Sequence, residues 1–173
     1  MVDYAALRAD SAHLLDAPVT AAGLVVLDVG RLAPAAGGMA GGLAAESAVS
    51  VLGVGDPITD GLAAGAGHAA GQHAVYQSAA DAAGVTPVMV LAVTEHELAL
   101  LDWRGDVRSG TGPTLVLARF ARDRATVSST KSGPTRHLVL AQDGVEARVQ
   151  CTLGLLSAGK AEMHGLLDAL GVD

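Results

Sequence analysis

The chain has 173 residues, of which half are apolar but only 2% aromatic, with 22 glycines and a formal net charge of −7. This length suits one domain over 1–173 with one hydrophobic core. The acidic balance argues against a nucleic-acid partner, because phosphate recognition needs a basic surface. A single cysteine, Cys151, rules out an internal disulfide and a cysteine-based zinc site, which fits a cytoplasmic protein. The chain does not open on a basic segment followed by an apolar run, so no signal peptide is predicted.

The first predicted elements are a short helix and a strand. Residues 3–16 are predicted to be helical, since Asp3 can cap the first turn and Pro18 follows the last. The β-branched run 23–29, which ends at Gly30, predicts a strand.

A Gly/Ala-rich insertion follows over residues 33–86, where the composition shifts sharply. Two helical pieces are predicted within it, at 39–52 and 57–83. Asp56 suits the N-cap of the second piece, and Pro57 suits its first helical position.

Glycines recur four residues apart in this insertion, as in Gly37 with Gly41 and Gly61 with Gly65. That spacing places both glycines on one helix face, where a second helix can approach closely. We therefore expect close packing within the fold or across a homo-oligomer interface. Two alternatives remain open: a flexible low-complexity segment, or membrane association through a helical hairpin, because 61–80 carries no formal charge.

From Pro87 onward, short apolar runs separated by turns predict an antiparallel β-meander. The predicted strands are 88–93, 98–103, 114–121, 124–129, 136–142 and 145–151. The polar turn 94–97 joins the first two strands, a Gly-rich loop covers 104–113, and a Ser/Thr/Gly/Pro loop covers 130–135.

The clearest local signal is the pair Asp143-Gly144 between two alternating runs, which predicts a type I′ hairpin turn. Closing the hairpin there pairs Leu140 with Ala147 on a buried face. The residues predicted on the wet opposite face are Glu146, Arg148 and Gln150.

An amphipathic helix is predicted over 160–170, with apolar residues at helical spacing and Gly171 at its end. This helix should lie over the open end or face of the sheet.

A run of antiparallel strands closed by one C-terminal helix resembles the bacterial pleckstrin-homology-like (PH-like) domain. The residues that carry this resemblance are 91–94, 98–103 and 166–170. It covers 87–173 and implies an α+β fold, a β-meander or partly open barrel closed by a C-terminal helix. The insertion 33–86 looks like those of small actinobacterial proteins. The resemblance implies a non-catalytic binding or assembly module, with no cofactor, rather than an enzyme.

One basic cluster stands out as a candidate anion-binding patch, predicted on two adjacent strands and their loops. Its members are Arg119, Arg122, Arg124, Lys131 and Arg136. The alternative is that these side chains solvate the wet face of the sheet, since Asp123 interrupts the set.

No metal or catalytic site is predicted. His68 and His73 are five residues apart, which places them on different sides of a helix, and His96 lies in a polar turn. The weakest of the hypotheses is an enzyme with an unrecognised site, based on a Ser-x-x-Lys spacing from Ser128 to Lys131.

Overall fold

The computed structural model describes residues 2–28, 80–81, 85–103, 112–153 and 159–172. Its elements, in chain order, are α1 (Tyr4–Leu15), β1 (Ala21–Leu27), β2 (Val88–Val93), β3 (Glu97–Asp102), β4 (Val116–Ala121), β5 (Thr126–Ser132), β6 (Thr135–Gln142), β7 (Val145–Thr152) and α2 (Lys160–Leu170). The strands form one antiparallel sheet in the order β4-β3-β2-β1-β7-β6-β5. The predicted α+β class with a C-terminal helix is confirmed.

The start of α1 is capped as predicted. A carboxylate oxygen of Asp3 accepts hydrogen bonds from the backbone N–H groups of Ala5 and Ala6, at 3.0 and 3.1 Å. The helix ends at Asp16, whose φ of 52° is left-handed and stops the helical turn. Both ends of α1 therefore follow from local sequence.

Strand β1 begins two residues earlier than the predicted strand, at Ala21 rather than Gly23. The reason is its partner: the ladder with β2 pairs Ala21 with Val93 and continues to Val26 with Val88. Tertiary pairing thus extends the strand beyond its β-branched run.

The sheet curls, because its two edge strands are consecutive in the chain. Strands β4 and β5 lie at opposite edges, and a flat seven-stranded sheet would separate them by about 29 Å. The connection from Ala121 to Thr126 can span at most about 18 Å. Across the gap, the backbone N–H of Ala121 donates to the side-chain oxygen of Gln142 on β6, at 2.6 Å. The two edges therefore meet at one end of the sheet.

The predicted loop 130–135 is wrong, because those residues form a tight hairpin. Strand β5 continues to Ser132 and pairs there with Thr135, the first residue of β6. Only Gly133 and Pro134 separate the strands, and Gly133 has the left-handed φ of 57° that such a turn uses. Seven cross-strand pairs along this hairpin outweigh the loop-like composition.

The hairpin of β6 and β7 forms as predicted. Asp143 and Gly144 have φ values of 52° and 82°, the two positive values that a type I′ turn requires, and Leu140 pairs with Ala147. The expectation that the opposite face is wet is wrong at Gln150, which is only 3% exposed.

The two faces of the sheet are covered by different helices. We call the face under α2 the inner face and the face under α1 the outer face. Apolar residues of the inner-face core include Val25, Leu91, Phe120, Leu138 and Val149. A smaller core with Leu7, Leu15, Val90 and Leu101 fills the space between α1 and the outer face. Alternation along each strand therefore feeds two cores.

Helix α2 packs directly on β1, as the amphipathic pattern predicts. Met163, Leu166 and Leu167 are buried, and the helix ends at Gly171 with a φ of 71°. The closest approach is at Gly23, where an added Cβ would lie 2.9 Å from Leu166 Cδ2 and 3.1 Å from Met163 Cε. Because Gly23 has no side chain, α2 can pack this closely against β1.

The Gly/Ala-rich insertion 33–86 lies outside the described residues except for 80–81 and 85–86. The two predicted helical pieces, the glycine pairs and the membrane hairpin therefore stay predictions. Of the two helices described, neither combines the length and the hydropathy needed to cross a bilayer.

Candidate functional site

The five cations of the predicted patch differ in the partners that the structure gives them. Strands β4 and β5 are at opposite edges of the sheet, so the two strands expected to be adjacent are not hydrogen-bonded neighbours. Arg119 on β4 forms an ion pair with Glu97 at 2.6 Å, and Arg124 forms one with Asp143 at 3.2 Å. Each of these two guanidinium groups is already matched by a carboxylate.

The guanidinium group of Arg122 is hydrogen-bonded to two backbone carbonyl groups. Its guanidinium donates to the carbonyl oxygen of Thr94 at 3.1 Å and to that of Ala169, near the end of α2, at 2.7 Å. A cation at the last carbonyls of a helix is favourable because those groups lack helical partners. Arg122 therefore ties α2 to the β2–β3 turn.

Lys131 and Arg136, by contrast, are brought together by the β5–β6 hairpin. They are directly opposite each other in the ladder, and Cys151 on β7 lies opposite Arg136. All three occupy inner-face positions, because they share the alternation of the buried Leu138 and Val149. Neither cation has a carboxylate within ion-pair distance in the part of the chain that the structure describes.

Two buried polar atoms in and beside this pair have no hydrogen-bond partner within the described part of the chain. They are the Nε of Arg136 and the hydroxyl oxygen of Ser129, which is on the inner face two residues before Lys131. Buried polar groups in native proteins are nearly always bonded, so two orphans at diagonal positions of one ladder require an explanation. We call Ser129, Lys131 and Arg136 the donor cluster, since all three side chains can donate hydrogen bonds.

Cys151 is next to this cluster but is unsuited to thiol chemistry. Burial raises the pKa of its thiol to about 11, although the nearby Arg136 guanidinium acts to lower it. The nucleophilic form is the thiolate, and at pH 8 only about one thiol in a thousand is ionised with such a pKa.

We expect iodoacetamide to modify Cys151 in the native chain at least about a hundredfold more slowly at pH 8 than in the guanidinium-unfolded chain. The rate in the folded chain should rise steeply with pH up to about 11. Mass spectrometry of quenched samples measures both rates. Similar rates in the folded and unfolded chain would contradict the assigned pKa.

A second polar feature, absent from the sequence predictions, is a bond between Asp28 and His137. The carboxylate of Asp28 lies 2.7 Å from His137 Nδ1, and the two side chains are 4% and 12% exposed. Their 109-residue separation explains why no sequence motif reveals them. Asp28 follows β1 and His137 is on β6, so the bond reaches across β7 on the outer face.

The Ser-x-x-Lys spacing does not form a converging pair. Ser128 lies opposite Val139 and Lys131 opposite Arg136, so their side chains are on different faces of β5. His96 donates its backbone N–H to the Thr94 hydroxyl within the β2–β3 turn, and His68 and His73 are outside the described residues. Over the described ranges, no three potential ligands cluster in a way that could hold a metal ion.

Comparison with protein-family models, with curated proteins and with solved structures finds no match for this chain.

Proposed function

We propose that this chain is a non-catalytic binding module with a PH-like closure, and that its ligand is a small oxyanion held by the donor cluster. The observation that carries the proposal is a pair of buried polar atoms, Ser129 Oγ and Arg136 Nε, that have no hydrogen-bond partner among the described residues and lie on the same face of the hairpin as the exposed Lys131. The other three cations of the predicted patch already have partners. Arg119 and Arg124 form ion pairs with carboxylates, and Arg122 donates to backbone carbonyl groups.

The PH-like part of the proposal is supported by topology. A curled antiparallel sheet runs without interruption from β4 through β1 to β5, and a C-terminal helix packs across its inner face. The donor cluster lies near the β5–β6 turn. It is therefore separate from the β2–β3 turn, where Glu95 and Glu97 would repel an anion.

A buried donor without a hydrogen-bond partner lowers the stability of the folded protein. Each buried, unsatisfied polar group costs about 1–3 kcal/mol, and that cost is recovered only when a partner arrives. A phosphate, sulfate or carboxylate supplies acceptor oxygens alone, which matches a lysine ammonium, a guanidinium N–H and a hydroxyl. A cationic ligand that brings only donor groups would leave the Nε–H of Arg136 unsatisfied.

The test is a titration with inorganic phosphate, followed by the protein's NMR chemical shifts, in the wild-type chain and in variants. Arg136→Leu and Lys131→Gln are each expected to weaken binding at least about tenfold. Arg124→Gln is the matched control, since it removes one positive charge from the β4–β5 connection, where Arg124 forms an exposed ion pair with Asp143. Its phosphate affinity should stay within about twofold of wild type.

Stability separates this proposal from a structural role for Arg136. Arg136→Leu removes an unpartnered buried donor, so its free energy of unfolding should equal or exceed that of wild type. A phosphate affinity unchanged in both variants overturns the proposal, as does an equal loss in Arg124→Gln.

A further inference from the structure

A second feature, away from the donor cluster, is a surface cavity of about 260 Å³ that is open to solvent and lies between α1, the start of β1 and α2. Its lining is made mostly of small side chains, including Ala21, Ala22 and Gly165. Pockets for drug-sized ligands usually measure about 300–1,000 Å³, so this cavity suits a smaller molecule.

Two opposite charges line this cavity. Arg8 comes from α1 and Glu162 from the first turn of α2. They do not form an ion pair with each other, and neither is paired with any other residue that the structure describes. A guanidinium and a carboxylate that share a cavity without meeting leave room for a ligand between them.

The walls of the cavity are held in place by contacts outside it. The ring of Tyr4 on α1 lies against Gly159, directly before α2, so tightly that no side chain fits at that position. The pKa of Tyr4 is raised by burial and by the charge of Glu162, which is consistent with the first turns of α1 and α2 lying side by side. The two charges are therefore carried by helices that contact each other near their first turns.

We infer that this cavity binds a small zwitterion of the α-amino acid class, with the ligand carboxylate on Arg8 and its ammonium group on Glu162. Arginine presents a planar fork of donors that matches a carboxylate in two parallel hydrogen bonds. The carboxylate of Glu162 accepts from an ammonium group. The small side chains of the lining leave space for a short aliphatic substituent.

The first experiment compares glycine and alanine with their singly charged analogues acetate and methylamine, by NMR titration of the full chain. The amino acids should bind at least about tenfold more tightly than either analogue, because each analogue meets only one of the two charges. Arg8→Gln and Glu162→Gln should each reduce amino-acid binding by a similar factor. The exchange Arg8→Glu with Glu162→Arg should restore part of it.

A variant that fills the cavity tests its role without loss of folding. An added Cβ at Gly165 meets nothing within 4 Å, so the side chain of Gly165→Leu begins in open space, and the change also removes a glycine from the middle of α2. We expect this variant to be at least as stable as wild type and to lose amino-acid binding. Undiminished binding in Gly165→Leu overturns the assignment, and so does equal binding of alanine and acetate in the wild-type chain.

The zwitterion site is expected to be independent of the proposed oxyanion site, and the variants described above test this independence. Arg136→Leu should leave glycine binding unchanged, while Gly165→Leu should leave phosphate binding unchanged. Loss of glycine binding in Arg136→Leu would contradict separate sites.

Discussion

Replacing Asp28 by alanine is expected to lower the free energy of unfolding by about 3 kcal/mol, because it leaves the nearly buried side chain of His137 without its hydrogen-bond partner. The bond matters because of where it lies. Strands β1 and β7 share only two cross-strand pairs, whereas β6 and β7 share eight. Among the strand ladders that the structure describes, that short one joins the β1–β4 half of the sheet to the β5–β7 half. The bond between Asp28 and His137 crosses β7 on the outer face and strengthens the junction between the two halves of the sheet.

Denaturant unfolding of Asp28→Ala, His137→Ala and the double variant measures the contribution of the bond. If the two residues act through each other, the double variant should lose little more than the worse single variant. Arg124→Ala is the control, since it breaks the exposed pair with Asp143 without changing the β6–β7 turn, and it should cost less than about 1 kcal/mol. Single losses that simply add, or a loss in Asp28→Ala no larger than that of the control, would contradict the assigned role.

The local elements of this fold could be predicted because their signals are local. The Asp3 cap, the Asp143-Gly144 turn and the spacing of apolar residues in 160–170 each depend on residues within a few positions of one another. The structure reproduces all three. Capping bonds, positive φ angles and helical periodicity act over one or two turns, so they need no knowledge of the rest of the chain.

The arrangement of the sheet could not be read in this way. Consecutive strands usually pair, yet β4 and β5 lie at opposite edges of the sheet, and only its curl brings those edges together at one end. The sequence prediction treated these two strands as adjacent, and they are not hydrogen-bonded neighbours. The order depends on non-local pairing of β1 with β7, for which the sequence contains no local signal.

The candidate site was predicted only in part. Lys131 and Arg136 belong to the predicted patch, but their meeting depends on the tight turn at Gly133 and Pro134, a segment whose composition indicated a longer loop. Ser129 and Cys151 lie beside these two cations only because of the register of the β5–β6 and β6–β7 ladders. A one-residue slip would move these side chains to the other face.

Leu166→Ala is expected to lower the free energy of unfolding by about 3–4 kcal/mol, since Leu166 is fully buried and its loss leaves a cavity between α2 and β1. Gly23→Val alone is also destabilising, by about 2 kcal/mol, because its side chain would push against Leu166 and Met163. The two changes have opposite effects on volume at one contact. The double variant should therefore lose clearly less than the sum, as the valine occupies the space that the leucine vacates.

Thermal or denaturant unfolding of the four chains gives this coupling directly. Leu138→Ala combined with Gly23→Val is the control pair, since Leu138 belongs to the same inner-face core but is not among the atoms nearest an added Cβ at Gly23. That pair should be close to additive. If Leu166→Ala and Gly23→Val were equally additive, α2 would not rest on Gly23, and the closure of the sheet by its C-terminal helix would need another anchor.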